Sequence, residues 1–185
     1  MNTGAVGAIV LVLIVLISVG VYFGTKKDDD KKPPASGGAG ANALPSGRFV
    51  KLIHTLDKNT VINLSELEIF AKGGVTSIAA GKTVTASSVH GSFGSLPELV
   101  DGNLANNTHT GGVADEFDYL QVDLGSVQEI EKIKITNRTD CCQERAQGIK
   151  VIIYGADGTT VVKETPAITT TAGTYTLSFP GATWS

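Results

Sequence analysis

From Gly47 onward, apolar and polar positions alternate with a period of two, the spacing of strands that bury one face. Phe49–Ile53 is a short apolar-rich run. In Asn63–Phe70, Leu64, Glu66 and Glu68 fall on one face and Leu67 and Ile69 on the other. Asp118–Leu124 sets Leu120, Val122 and Leu124 against Tyr119, Gln121 and Asp123. Ile133 and Ile135 alternate with Lys132, Lys134 and Thr136, and Ile149, Val151 and Ile153 follow. Tyr175, Leu177 and Phe179 alternate with Thr174, Thr176 and Ser178. Short strands separated by Gly, Asn and Asp, with no long amphipathic helix, predict an all-β antiparallel β-sandwich over residues 47–185. That length suffices for one core.

Ahead of this pattern, Ala5–Gly24 (AVGAIVLVLIVLISVGVYFG) carries no charge. At about 1.5 Å per residue the segment matches the roughly 30 Å hydrocarbon core of a bilayer. Met1–Gly4 offers no basic side chain of the kind a secretory signal uses. Tyr22 and Phe23 sit near one end, where aromatics favour the membrane interface. Residues 1–4 therefore read as a short tail and 5–24 as a retained transmembrane helix. Lys26, Lys27, Lys31 and Lys32 all follow it, and a basic excess marks the cytoplasmic side, so the C-terminal domain is expected to face the cytoplasm during synthesis. Residues 25–46 (TKKDDDKKPPASGGAGANALPS) have nothing with which to bury a core and read as a spacer.

Composition adds mainly exclusions. The net charge of −3 leaves no basic surplus for nucleic acid. His54, His90 and His109 are the only histidines, and none lies in a His-Glu-x-x-His motif. No Gly-x-Ser-x-Gly elbow or phosphate-cradling glycine loop is present, so nothing invites an enzymatic reading. Cys141 and Cys142 are the only cysteines and are adjacent, so they cannot staple distant segments. They form either a bridge stiffening one loop or two free thiols.

The informative stretch is Asn137–Gly148 (NRTDCCQERAQG). Arg138 closes one strand and Arg145 precedes the next, so a returning loop brings two guanidiniums to one end of the sandwich. Each offers a rigid fork of N–H donors suited to vicinal hydroxyls or a carboxylate. Asp140 can orient one of them through a charge-assisted hydrogen bond. An Arg–Asp pair that merely holds a surface loop has the same local sequence.

This stretch, with His109 ahead of it, resembles the signature of fucose-binding F-type lectins, within the wider discoidin and coagulation-factor C-type domains. Arg138-Thr139-Asp140-Cys141-Cys142-Gln143-Glu144-Arg145 is similar to the family's Arg-x-Asp run with its second basic residue and Cys-Cys pair. Gly81–Ser88 (GKTVTASS), Leu99–Asn103 (LVDGN) and Asp118–Gly125 (DYLQVDLG) resemble further family segments. Arg48–Lys51 and Leu64–Phe70 resemble the strands that normally end such a domain, which implies a circular permutation. Domain termini commonly lie close together, so this rearrangement is sterically cheap. The resemblance implies a carbohydrate site of His109, Arg138, Asp140 and Arg145, with Cys141 and Cys142 as a bridged platform under the sugar's apolar face. It also implies a structural Ca²⁺ held by Ser65, Glu66, Glu98, Asp101, Asn103 and Asn106, whose oxygens suit that cation.

The expected function is a membrane-anchored carbohydrate-binding module. The alternative draws on permuted fucolectin-like domains on short anchors, which look like those of large DNA viruses. It is a minor capsid protein tying the virion's inner membrane to its shell through protein contacts. The expected partners are the membrane, through residues 5–24, and either a fucose-like glycan or capsid proteins. Three glycosylation sequons begin at Asn63, Asn106 and Asn137, and a glycan at either of the last two would obstruct the site.

Overall fold

The computed structural model describes residues 43–185 except Asp57, Asn59 and Phe93. The expected tail, transmembrane helix and most of the spacer lie outside the described residues. Among the described residues no helix is long and apolar enough to cross a membrane.

Among the described residues there are nine strands: β1 (Ser46–His54), β2 (Asn63–Ala71), β3 (Thr83–Ala86), β4 (Thr108–His109), β5 (Tyr119–Asn137), β6 (Ile149–Tyr154), β7 (Val161–Glu164), β8 (Thr174–Ser178) and β9 (Thr183–Trp184). All pairings are antiparallel. β3, β1, β6, β7 and the first part of β5 make one layer. β4, β2, β8, β9 and the second part of β5 make the other. Leu52, Leu120, Val122, Val151 and Ile153 from the first layer meet Leu64, Leu67, Ile69, Ile133, Ile135 and Leu177 from the second in one core. The expected sandwich pattern is therefore present, with β-branched side chains filling the space between the layers.

Two details depart from the alternating pattern. A register shift between Leu64 and Glu66 turns Leu64 inward with Leu67 and Ile69, so it does not share a face with Glu66 and Glu68. The two strands read at Asp118–Leu124 and Ile133–Ile135 are parts of β5, which serves both layers. Gly125, at φ +85°, and a register break opposite Gly47 and Phe49 make the corner between them. A side chain at Gly125 would be strained in that left-handed backbone.

The corner decides which loops meet. Backbone bonds from Thr55 to Gly148, Gly148 to Ile168 and Asn137 to Gly173 gather the end of β1, the start of β6 and the end of β5 at one end of the sandwich. Ile130 N–H donates to Pro45 O beside the β5 corner, and Leu44 packs on the core, so both residues of the expected spacer belong to the packed domain.

Candidate functional site

Arg138 follows β5 directly and is 9% exposed. Its Nε donates to Asp140 Oδ1 at 2.6 Å and its Nη2 to Asp140 Oδ2 at 2.5 Å, a two-point grip that fixes the guanidinium plane. The Arg138 hydrogen bonds hold the Asp140 carboxyl down at about 2, so the pair stays charged throughout neutral and mildly acidic pH. Cys141 and Cys142 are disulfide-bonded, and Cys142 takes a left-handed backbone at φ +61°. A 3-10 turn, Gln143–Ala146, then carries Arg145 back towards β6.

Asn137 and Gln143 lock this loop. Asn137 Nδ2 donates to Gln143 O and Ala172 O, Arg138 N–H donates to Asn137 Oδ1, and Gln143 Nε2 donates to Arg138 O. Neither residue was singled out as functional from sequence. Asn137 is fully buried and Asn63 nearly so, so neither sequon can carry a glycan in the folded domain. The half-buried Asn106 commits its Nδ2 to Asp101 Oδ2. The expected obstruction from Asn137 is therefore removed.

His109 lies in β4, paired opposite Asn63, and is 8% exposed. Its Nδ1 lies 2.5 Å from Thr110 O, which can only accept, so Nδ1 carries the proton and Nε2 is the acceptor in the neutral ring. Burial lowers its pKa from the ordinary histidine value. The Thr110 bond opposes that change, while His90, Arg145 and Arg138 add to it. The charges of both arginines thus reach His109. His90 was not expected. Its ring stands 4.9 Å from that of His109, centroid to centroid, and its N–H donates to His109 O. No sequence spacing links it to Arg138 or Arg145.

Of the expected calcium ligands, Ser65 and Glu66 lie in β2 and Asp101, Asn103 and Asn106 in the loop after the Leu96–Val100 3-10 turn. Gly102 N–H donates to Glu66 Oε2, Asn103 N–H and Asn106 Nδ2 donate to Asp101, and Ser65 Oγ donates to Asn107 Oδ1. These bonds draw Ser65, Glu66, Asp101, Asn103 and Asn106 into one neighbourhood. Glu98 is half-buried on the 3-10 turn. Glu66 is 3% exposed, and burial pushes its carboxyl up to about 7. The Gly102 hydrogen bond opposes the rise and Asp101 adds to it. Asn106 Oδ1 is buried with no hydrogen-bond partner. An orphaned amide oxygen beside a carboxyl driven towards protonation fits a hard, oxygen-seeking cation. Among the described residues, no group of three or more His, Cys, Asp or Glu side chains is placed to hold a metal ion, so Glu66, Glu98 and Asp101 do not gather as one set.

Comparison with known proteins supports the reading of the fold. Residues 98–185 match the family described as the NedA-like, galactose-binding domain of the F5/F8 type C group. Fucolectin-3 of Anguilla japonica is 32% identical over 79 residues, covering 40% of this chain and 44% of the relative. Over these segments the chain is similar to fucolectins and to the galactose-binding domain of the F5/F8 type C group. Fucolectin-4 of the same species is 34% identical over 67 residues, or 35% of this chain and 37% of the relative. A pentraxin fusion protein of Xenopus laevis is 30% identical over 84 residues, or 43% of this chain and 20% of the relative. The lectin-like chain aligns with less than half the length of each of these relatives. No solved structure matches it.

Proposed function

We propose that this chain is a non-enzymatic carbohydrate-binding module, displayed on a membrane by its N-terminal segment. The observation that supports the reading is that the charges of Arg138 and Arg145 reach His109, with Arg138 next to a disulfide-bridged loop. Two guanidiniums supply donors to hydroxyl oxygens, and neutral His109 Nε2 can accept one hydroxyl proton. The Cys141–Cys142 bridge offers an apolar, polarisable edge to a C–H face of the sugar. The family match and the fucolectin relatives favour a galactose- or fucose-like ligand. A Ca²⁺ ion held by Ser65, Glu66, Glu98, Asp101, Asn103 and Asn106 would brace the loop leading into β4. There Glu66 supplies a buried carboxylate and Asn106 its unpaired oxygen.

A glycan array tests this reading with the full chain in detergent and Ca²⁺ present. Fucose- or galactose-terminated glycans should be retained by the wild type. Arg145→Ala should weaken retention by at least about tenfold, the worth of one hydrogen bond from a charged group. Retention indifferent to Arg145→Ala, or no retention by the wild type, rejects the proposal. A chain that retains no glycan but co-purifies with capsid protein would be the membrane-to-shell connector instead.

A further inference from the structure

Asn63 heads a sequon that burial closes, and nothing else in the sequence marks it. The fold gives it a more telling place. Ile62 and Leu64 on either side of it point into the core, so its side chain leaves β2 from the opposite face. β4 sets His109 directly opposite Asn63. β5 sets Asn137 opposite Leu64, so one step further along the ladder its chain passes to Arg138. Asn63 is thus the middle position of three, between His109 and the start of the Arg138 loop. It is 2% exposed, against 8% and 9% for those two. Among the described residues neither its Oδ1 nor its Nδ2 has a hydrogen-bond partner. We propose that Asn63 is a further ligand-contacting residue of the site, its amide oxygen accepting from one sugar hydroxyl and its amide N–H donating to a neighbouring one. The assignment rests on the carbohydrate-binding reading and deepens it by naming a contact that sorts ligands.

Burying an amide without partners is unfavourable, because its bonds to water are given up and nothing replaces them. An apolar side chain of the same shape is the cheaper choice for folding, so packing alone gives no reason for an asparagine here. Its polar neighbours in the ladder are all answered. Asn137 commits its Nδ2 to Gln143 O and Ala172 O and its Oδ1 to the Arg138 N–H. Thr108 Oγ1 donates to Ser95 O, and Thr110 Oγ1 accepts from Ile62 N–H. Of these side chains only Asn63 has no partner. The kind of ligand follows from the amide itself, which carries an acceptor and a donor side by side. Guanidiniums grip a carboxylate as readily as a pair of hydroxyls, but a carboxylate has no proton to give the Asn63 oxygen. Asn63 therefore turns the site towards a vicinal diol and away from an anion.

The test titrates α-methyl fucoside and its monodeoxy analogues into the full chain in detergent with Ca²⁺, comparing wild type with Asn63→Leu. Leucine keeps the volume and removes the unanswered amide, so the sugar-free Tm should hold or rise. Affinity for the parent fucoside should fall by at least about tenfold, the worth of one or two hydrogen bonds. In the wild type, at least one monodeoxy analogue should bind about tenfold more weakly than the parent, and in Asn63→Leu that analogue and the parent should bind alike. Equal fucoside affinity in the two proteins overturns the proposal and leaves the carbohydrate reading standing, the amide then holding a buried water. A lower Tm with the ranking of the analogues unchanged marks a structural asparagine and also overturns it. Absence of wild-type binding to any glycan overturns both readings. Should Asn63→Leu fail to fold, the side-chain amide resonances of Asn63 in the wild type decide: a shift at saturating fucoside supports the contact, and unmoved signals overturn it.

Discussion

Glu66→Gln isolates a buried carboxyl whose proton affinity burial has raised. Glu66 is 3% exposed and its folded carboxyl titrates near 7, against an ordinary value of 4.5. Because the folded value is the higher one, the cation-free fold binds a proton that the unfolded chain has already lost between those values. The associated stability is complete below pH 4.5 and is lost as pH rises through 7. At about 1.4 kcal/mol per pH unit, the loss reaches at most about 3 kcal/mol by pH 8. For a domain of this size that corresponds to roughly 10 °C in Tm. The glutamine cannot ionise, so its cation-free Tm should lack this decline. Ca²⁺ should raise the wild-type Tm more at pH 8 than at pH 5, because at pH 5 the ion must displace the Glu66 proton. Its effect on Glu66→Gln should be small at both. Differential scanning calorimetry of the full chain, with EGTA or Ca²⁺ at the two pH values, reads all of these. Subtracting the variant from the wild type cancels the opposite contribution of His109, whose lowered pKa costs stability as pH falls. The reasoning is refuted if wild type and variant show the same pH slope in EGTA.

Three further outcomes follow from the same structure. Asn137→Ala removes the amide that satisfies Gln143 O, Ala172 O and the Arg138 N–H, and should cost about 1–3 kcal/mol in urea unfolding while weakening glycan binding. Asp140→Asn should leave Tm nearly unchanged but weaken glycan binding several-fold by calorimetric titration, because Arg138 loses the carboxylate that sets its plane. In the wild type the Arg138–Asp140 pair is present above the ordinary aspartate range and is lost only as pH falls towards 2. Glycan affinity between pH 4.5 and 8 should therefore show no step from Asp140.

Much of this organisation is legible in the sequence, for definable reasons. Strands such as Ile149–Tyr154 and Thr174–Ser178 bury one face against the other layer, so alternation reports them directly. Leu64 deceives because a bulge shifts the phase of β2, and pattern alone carries no sign of an extra residue. The β5 corner deceives because Gly125 and Ser126 look like a turn between separate strands, whereas β1 pairs with β5 on both sides of them across a register shift. At the site, Arg138 and Asp140 are two residues apart, so their ion pair is a local matter that spacing can suggest. His90 reaches His109 only through the packing of the loops after β3 and β4, a long-range contact with no local signature. Asn137 is concealed differently. It reads as a glycosylation acceptor until burial shows that its amide is the bolt of the loop.

The central claim is that His109, Arg138 and Arg145 form one hydroxyl-binding site, and isothermal titration of α-methyl fucoside into the full chain tests it most directly. At pH 7.5 with Ca²⁺, the account predicts saturable binding with one ligand per chain for the wild type and loss of at least about tenfold in affinity for Arg145→Ala, with Tm unchanged. Equal affinities in the two proteins, or wild-type binding that survives replacement of all three basic residues, would contradict it.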